Sequence, residues 1–143
     1  MCERVSAQIK APITEPNNNK PKLFANQPAS IAVDIHELEA LFAETTEANK
    51  DIAVQSADKK SFSFSGKVVS STSKYNDKIR TLIIRSSNFS GATLTLSSSI
   101  QPDGTVEYTG RIISFQHGDL YELENKKDQY AFIKKNFHDL VNE

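Results

Sequence analysis

Three histidines, His36, His117 and His138, are the side chains of this chain best suited to metal binding or proton transfer, and each has an acid close by: Glu37, Asp119 and Asp139. Three imidazoles can hold a zinc ion and leave its fourth position open. Their spacing lends no local support, because no pair stands at i, i+4. They fall on an expected helix, an expected turn and the C-terminal segment. The pattern therefore predicts surface or capping histidines. His36, His117 and His138 remain the candidate metal set, and a small metal-dependent enzyme using His117 and His138 with their acids is the alternative function.

Glu122 and Glu124 share one side of an expected strand, as a pair of carboxylates doing acid–base work would. The same spacing is that of a solvated edge strand, which is the expectation here. Cys2 is the single cysteine of the chain, so no intrachain disulfide and no multi-cysteine zinc pattern can form. In a polar leader its thiol lacks the electropositive pocket that a nucleophilic cysteine needs. If an upstream signal peptide were removed, Cys2 would be the first mature residue, where a bacterial lipoprotein carries its lipid. Cys2 is thus the candidate lipid anchor, and contact with a membrane is expected only through that lipid. Phosphate-cradling, dinucleotide-binding, metalloprotease and nucleophile-elbow motifs are absent from the sequence. No catalytic residue and no cofactor is assigned.

Tyr75, Tyr108, Tyr121, Tyr130 and Phe132 lie in the same region as Arg80, Arg85, Arg111, Lys126 and Lys127. Aromatic rings flanked by basic groups can stack on single-stranded nucleic acid or on sugar. Period-2 placement instead puts Tyr130 with Phe132, and Tyr108 with Ile112, on shared faces, which predicts core packing. The 17 Lys+Arg and 18 Asp+Glu give a formal charge of −1. That balance argues against nucleic acid as a partner. A protein, peptide or glycan is the expected partner class. Asn88-Phe89-Ser90 matches the N-glycosylation acceptor pattern, which matters only in a eukaryotic secretory route.

The elements that must position these residues divide the chain in two. With 143 residues there is room for one domain, with or without a tail. Pro12, Pro16, Pro21 and Pro28 crowd the first 28 residues, whereas all five glycines lie between Gly66 and Gly118. Residues 1–28 are polar, without apolar period, and read as a disordered tether on which only Leu23 and Phe24 can dock locally. Residues 29–143 read as a single β-rich domain. Asp34 is an N-cap with Glu37 three residues on, and Leu38, Leu41 and Phe42 form one stripe, predicting a helix over 34–48 with Lys50 near its end.

Beyond residue 51 the apolar period becomes 2. Gly66 interrupts an apolar face, as a bulge or a close backbone approach requires. Leu82-Ile83-Ile84 predicts a strand covered on both faces. Pro102-Asp103-Gly104 and His117-Gly118-Asp119 are turn signals, and Asn125–Asp128 joins a hairpin. Phe137, Leu140 and Val141 predict a short C-terminal helix. The fold class is α+β, mainly β. It is an antiparallel meander of six to seven strands, able to curl into a partly closed barrel, covered by one N-terminal helix.

The Gly66-Lys67-Val68-Val69 strand, the Phe89–Leu94 step, the Asp103–Gly110 hairpin and the Leu120–Leu123 strand together resemble the β-rich pro-regions of secreted bacterial metalloproteases. Such regions bind and restrain an enzyme without performing chemistry, so a pro-region-like restraining domain is a second alternative. The leading expectation is a non-catalytic binding or interaction module of unknown ligand, carried on a tether. An extracytoplasmic place, secreted or lipid-anchored, is favoured slightly over the cytoplasm.

Overall fold

The computed structural model describes residues 20–44, 48–127 and 129–136. Its elements in chain order are β1 (Ser30–Val33), α1 (Ile35–Glu44), β2 (Asp51–Gln55), β3 (Ser63–Lys74), β4 (Ile79–Ser86), β5 (Thr93–Ile100), β6 (Val106–Ile113), β7 (Asp119–Lys126) and β8 (Gln129–Asn136). All strand pairs are antiparallel and form one sheet in the order β1-β8-β7-β6-β5-β4-β3-β2. From β2 to β8 the chain is therefore a meander, as the short connections require.

The sheet curls into a half-barrel. Its two outermost strands come close enough for Ala57, just past β2, to donate its N–H to the carbonyl of Ala32 in β1 at 2.8 Å. The concave side holds the core. Val68, Leu82, Ile84, Leu94, Leu96 and Ile112 line it, and Leu38, Leu41 and Phe42 of α1 lie over it. The sheet is irregular at two places among the described residues: the β3–β4 register shifts between Val68 and Ser70, and the β6–β7 ladder is short. The registered pairs between β6 and β7 are only Arg111↔Glu122 and Ile112↔Tyr121. In the gap that follows, the Tyr130 hydroxyl accepts the Tyr108 N–H at 3.1 Å, a partner for a backbone donor the ladder leaves over.

Two expectations change in detail. Among the described residues there are eight strands rather than six or seven, because β1 precedes the helix. Ile31 and Val33 are buried while Ser30 and Ala32 are exposed, a period of 2 too short to stand out beside the helix signal. The helix keeps its predicted start: Asp34 Oδ1 accepts the His36 N–H at 2.9 Å. It does not extend to residue 48. Ala48 and Asn49 form a turn with Asn49 at φ 71°, and the Lys50 carbonyl accepts from Val68 N, continuing the β2 pairing. The expected C-terminal helix over Phe137–Val141 lies outside the described residues.

The strand through Leu82-Ile83-Ile84 is not covered on both faces. Leu82 and Ile84 are buried on the concave side, and Ile83 is half-buried on the convex side. The helix lies over one face only, so the third apolar residue marks a partly covered outer surface. Gly66 behaves as expected. A Cβ there would sit 2.4 Å from the Arg85 carbonyl oxygen, so β4 approaches its backbone closely.

Lys20–Ala29 packs across one end of the half-barrel. Phe24 is fully buried, with its ring centroid 4.6 Å from Tyr121 and 5.3 Å from Phe89. Leu23 is half-buried against the same core. Polar contacts hold the backbone: Gly118 N–H to the Pro21 carbonyl at 2.9 Å, Tyr121 hydroxyl to the Pro28 carbonyl at 2.6 Å, and Lys134 Nζ to the Gln27 carbonyl at 2.7 Å.

Candidate functional site

Among the described residues, one end of the half-barrel is filled and the other is open. A cleft of about 570 Å³ lies there between the last turn of α1 and the far ends of β3 to β6. Strand parity builds its floor. Along β5 the concave positions run Leu94, Leu96, Ser98 and Ile100, and register sets Ser98 opposite Arg80 on one side and Tyr108 on the other. Ile100 pairs with Val106. The concave wall thus passes from a buried aliphatic layer to a layer of Ser73, Arg80, Ser98 and Tyr108. It then ends in an apolar pair, Ile100 and Val106, that is 43% and 41% exposed.

The polar layer is only partly satisfied. Ser98 is 8% exposed, and among the described residues its hydroxyl has no hydrogen-bond partner. Buried polar side chains nearly always have one. The Arg80 guanidinium lies over the Phe42 ring, 5.6 Å from its centroid, and makes no ion pair with a carboxylate among the described residues. Phe42 and Tyr108 are in ring contact at 5.8 Å, and Tyr108 meets Tyr130 edge-on at 5.7 Å. Burial, followed by the charge of Glu39, pushes the Tyr108 phenol up from its ordinary range, so it stays a neutral hydroxyl. At the rim, Glu39 accepts from His36 and Asp77 accepts from the Ser73 hydroxyl. The adjoining turn holds Tyr75, Asn76 and Asp77 at positive φ (56°, 57° and 68°), a left-handed run without a glycine.

The two described histidines, His36 and His117, do not meet at this cleft. His36 stands on the exposed side of α1, its Nδ1 3.3 Å from Glu39. His117 lies in the β6–β7 turn, its Nδ1 2.7 Å from Ser114 Oγ. Ser114 is 1% exposed, so this serine–histidine contact fastens a turn and offers a substrate no approach to the hydroxyl. The acid beside His117 is also engaged elsewhere, because Asp119 accepts two backbone N–H groups from Leu23 and Phe24. His138 and Cys2 lie outside the described residues. Among the described residues no cluster of three or more His, Cys, Asp or Glu has metal-ligand geometry.

The paired carboxylates are real neighbours, but β7 is an internal strand, not the edge strand expected. Lys135 Nζ bridges Glu122 at 2.5 Å and Glu124 at 2.8 Å, and Arg111 adds a contact to Glu122 at 2.9 Å. The Lys135 hydrogen bond, with help from Arg111 and against partial burial, holds the Glu122 carboxyl below its ordinary range. A general acid needs the opposite shift. Asn88 of the glycosylation pattern is a cross-strand fastener, its amide donating to the Ser63 carbonyl at 2.8 Å and its carbonyl accepting from Ser65 N at 3.0 Å.

Of the aromatics, Tyr108, Tyr121, Tyr130 and Phe132 are in the core, as their alternation predicts, and Tyr75 is 71% exposed in its turn. Sequence reasoning singled out Arg80 and Tyr108 only as parts of a diffuse aromatic and basic surface. It did not single out Ser98 or Ile100. The one available signal was that the β5 alternation continues through Ser98 to Ile100, placing a hydroxyl on the apolar face. Comparison with protein-family models, curated proteins and solved structures returns no match to this chain.

Proposed function

We propose that this chain is a non-catalytic binding module that receives a small amphiphilic ligand in the cleft between α1 and the concave wall of the sheet. The supporting observation is the end of the β5–β6 ladder. There a nine-tenths buried serine hydroxyl without a partner among the described residues adjoins an exposed Ile100–Val106 pair. The Ser98 hydroxyl lines the cleft, so a ligand seated there can take a hydrogen bond from it. The cleft volume of about 570 Å³ lies within the roughly 300–1,000 Å³ of small-molecule sites. Its lining sets Phe42, Ile100, Val106 and Tyr108 beside polar and charged side chains, which suits a ligand with an apolar and a polar part.

The test uses the full chain and the neutral fluorophore N-phenyl-1-naphthylamine, whose emission brightens in apolar surroundings. Saturable one-to-one enhancement is expected. Val106→Trp, which fills the mouth at an exposed position, should weaken binding about fivefold or more, as loss of a well-fitted apolar contact does, with its melting temperature unchanged. No saturable signal, or affinity indifferent to Val106→Trp in a folded variant, would refute the reading.

A further inference from the structure

Resting on the cleft as the binding site, we infer that its ligand carries a single oxyanionic head, of the carboxylate kind, read by Arg80 and Ser98, with an apolar body lying along Phe42, Ile100 and Val106. The placement of charge distinguishes this from a merely apolar cleft. Arg80 is half-buried, and its cross-strand neighbours in register are Ser73 and Ser98. Its guanidinium lies over Phe42. An aromatic ring takes up the face of a guanidinium and leaves its in-plane N–H donors free. Those donors match the two oxygens of a carboxylate, and the match is charge-assisted.

Among the described residues two carboxylates, Glu39 and Asp77, line the same cleft, and their positions decide the sign. Glu39 has a side chain 56% exposed and is paired with His36, and Asp77 is exposed and takes the Ser73 hydroxyl. Charges at a wet rim are screened strongly, whereas a half-buried cation keeps more of its field. A head group reaching the floor therefore meets a guanidinium and an unpartnered hydroxyl. A head group held at the rim meets two carboxylates already engaged. The Arg80 guanidinium is positively charged and donates only, which disfavours a cationic head at the floor, and the Ser98 hydroxyl can turn its O–H to an acceptor-only one.

The experiment compares decanol, decanoate and decylamine as competitors of the bound fluorophore, each below its micelle concentration and at neutral pH. Decanol reports on the cleft alone. Decanoate should bind about tenfold more tightly than decylamine, the scale of one charge-assisted contact. In Arg80→Gln, shown folded by circular dichroism, that ratio should fall to near one while decanol binding persists. Arg80→Lys, which keeps the charge and loses the fork, should retain an intermediate ratio and covers the case in which Arg80→Gln fails to fold.

Equal binding of all three competitors to the wild type would overturn the inference while leaving the cleft reading intact. So would tighter binding of decylamine, which would give the rim carboxylates the deciding role. A preference for decanoate that survives Arg80→Gln also overturns it. Failure of decanol as well as decanoate to compete would refute the cleft reading itself.

Discussion

The Asp119 carboxylate, 2% exposed at the start of β7, grips the backbone just before and at Phe24. One oxygen accepts the Leu23 N–H at 2.7 Å and the other accepts the Phe24 N–H at 2.9 Å. The Phe24 ring is buried against Tyr121 of the same strand, 4.6 Å between centroids. Hydrogen bonding and apolar burial thus act on one pair of residues, and neither anchor can be lost without loosening the other. Phe24→Ala should cost about 3–5 kcal/mol of stability in urea denaturation, the usual cost of removing a buried phenylalanine. Asp119→Ala leaves the buried Phe24 N–H and the part-buried Leu23 N–H unpaired and should cost about 2–4 kcal/mol. The double mutant should lose less than the sum. Strict additivity would show that the two contacts are energetically independent.

Tyr121 predicts a loss of stability in alkali. Burial, and next to it the charge of Asp119, push its phenol from 10.0 up to about 12. An unfolded chain releases this proton near pH 10 while the folded chain still holds it. The stabilisation is therefore complete below pH 10 and disappears as pH rises through about 12. Over that window the wild type should lose roughly 2–3 kcal/mol that Tyr121→Phe does not. At neutral pH Tyr121→Phe should be less stable by about 1 kcal/mol, for want of the bond to the Pro28 carbonyl. Parallel stability–pH curves for the two proteins above pH 10 would contradict this.

Glu122 predicts the opposite slope in acid. Its carboxyl lies below the ordinary value of 4.5 because Lys135, and then Arg111, favour the charged form over the effect of burial. That contribution is present above pH 4.5 and is lost as pH falls through the folded-state value. Its side chain is 23% exposed, and solvent screening limits the gain to about 1 kcal/mol. Glu122→Gln should be slightly less stable at neutral pH and should show a shallower decline in acid. A decline as steep as that of the wild type would move the acid sensitivity elsewhere.

Gly66 admits no side chain. A Cβ would fall 2.4 Å from the Arg85 carbonyl oxygen and 2.9 Å from Ile84 Cγ2. The obstacle is chiefly backbone, so β3 and β4 must separate to relieve it. Gly66→Ala should lower stability by about 2–4 kcal/mol, as overpacking against a fixed wall does. A melting temperature within a degree or two of the wild type would show that the two strands can part easily here.

Leu82 and Ile83 are adjacent but should differ sharply when given a charge. Leu82 is 1% exposed on the concave side, and Leu82→Asp should abolish folding, since an unpaired buried carboxylate costs several kcal/mol. Ile83 faces outward and is half-buried, so Ile83→Asp should keep the fold at a cost of about 1–2 kcal/mol. Circular dichroism separates the outcomes directly. Equal loss from both would mean that the convex face of β4 is covered too.

The strands and their turns were legible because their signals are local. Thr93–Ile100 alternates, Pro102-Asp103-Gly104 turns with Gly104 at φ 91°, and Asp34 caps α1. β1 was not legible, because four residues give only two alternations and its partner β8 lies about a hundred positions away. Phe24 was visible as a residue able to dock but not as a member of the core. Its burial depends on Asp119, Tyr121 and Phe89, all distant in the chain.

By itself, then, the order of side chains determined which face of each strand is apolar, where the chain turns, and where the helix begins. Each of these follows from backbone geometry within a few residues. Only the tertiary structure decided that the sheet curls until Ala57 meets Ala32, that Lys20–Ala29 fills one end, and that Arg80 and Ser98 line the other. Period 2 assigns a residue to a face and leaves open what that face meets. The answer comes from twist accumulated over eight strands and from contacts between segments far apart in the chain.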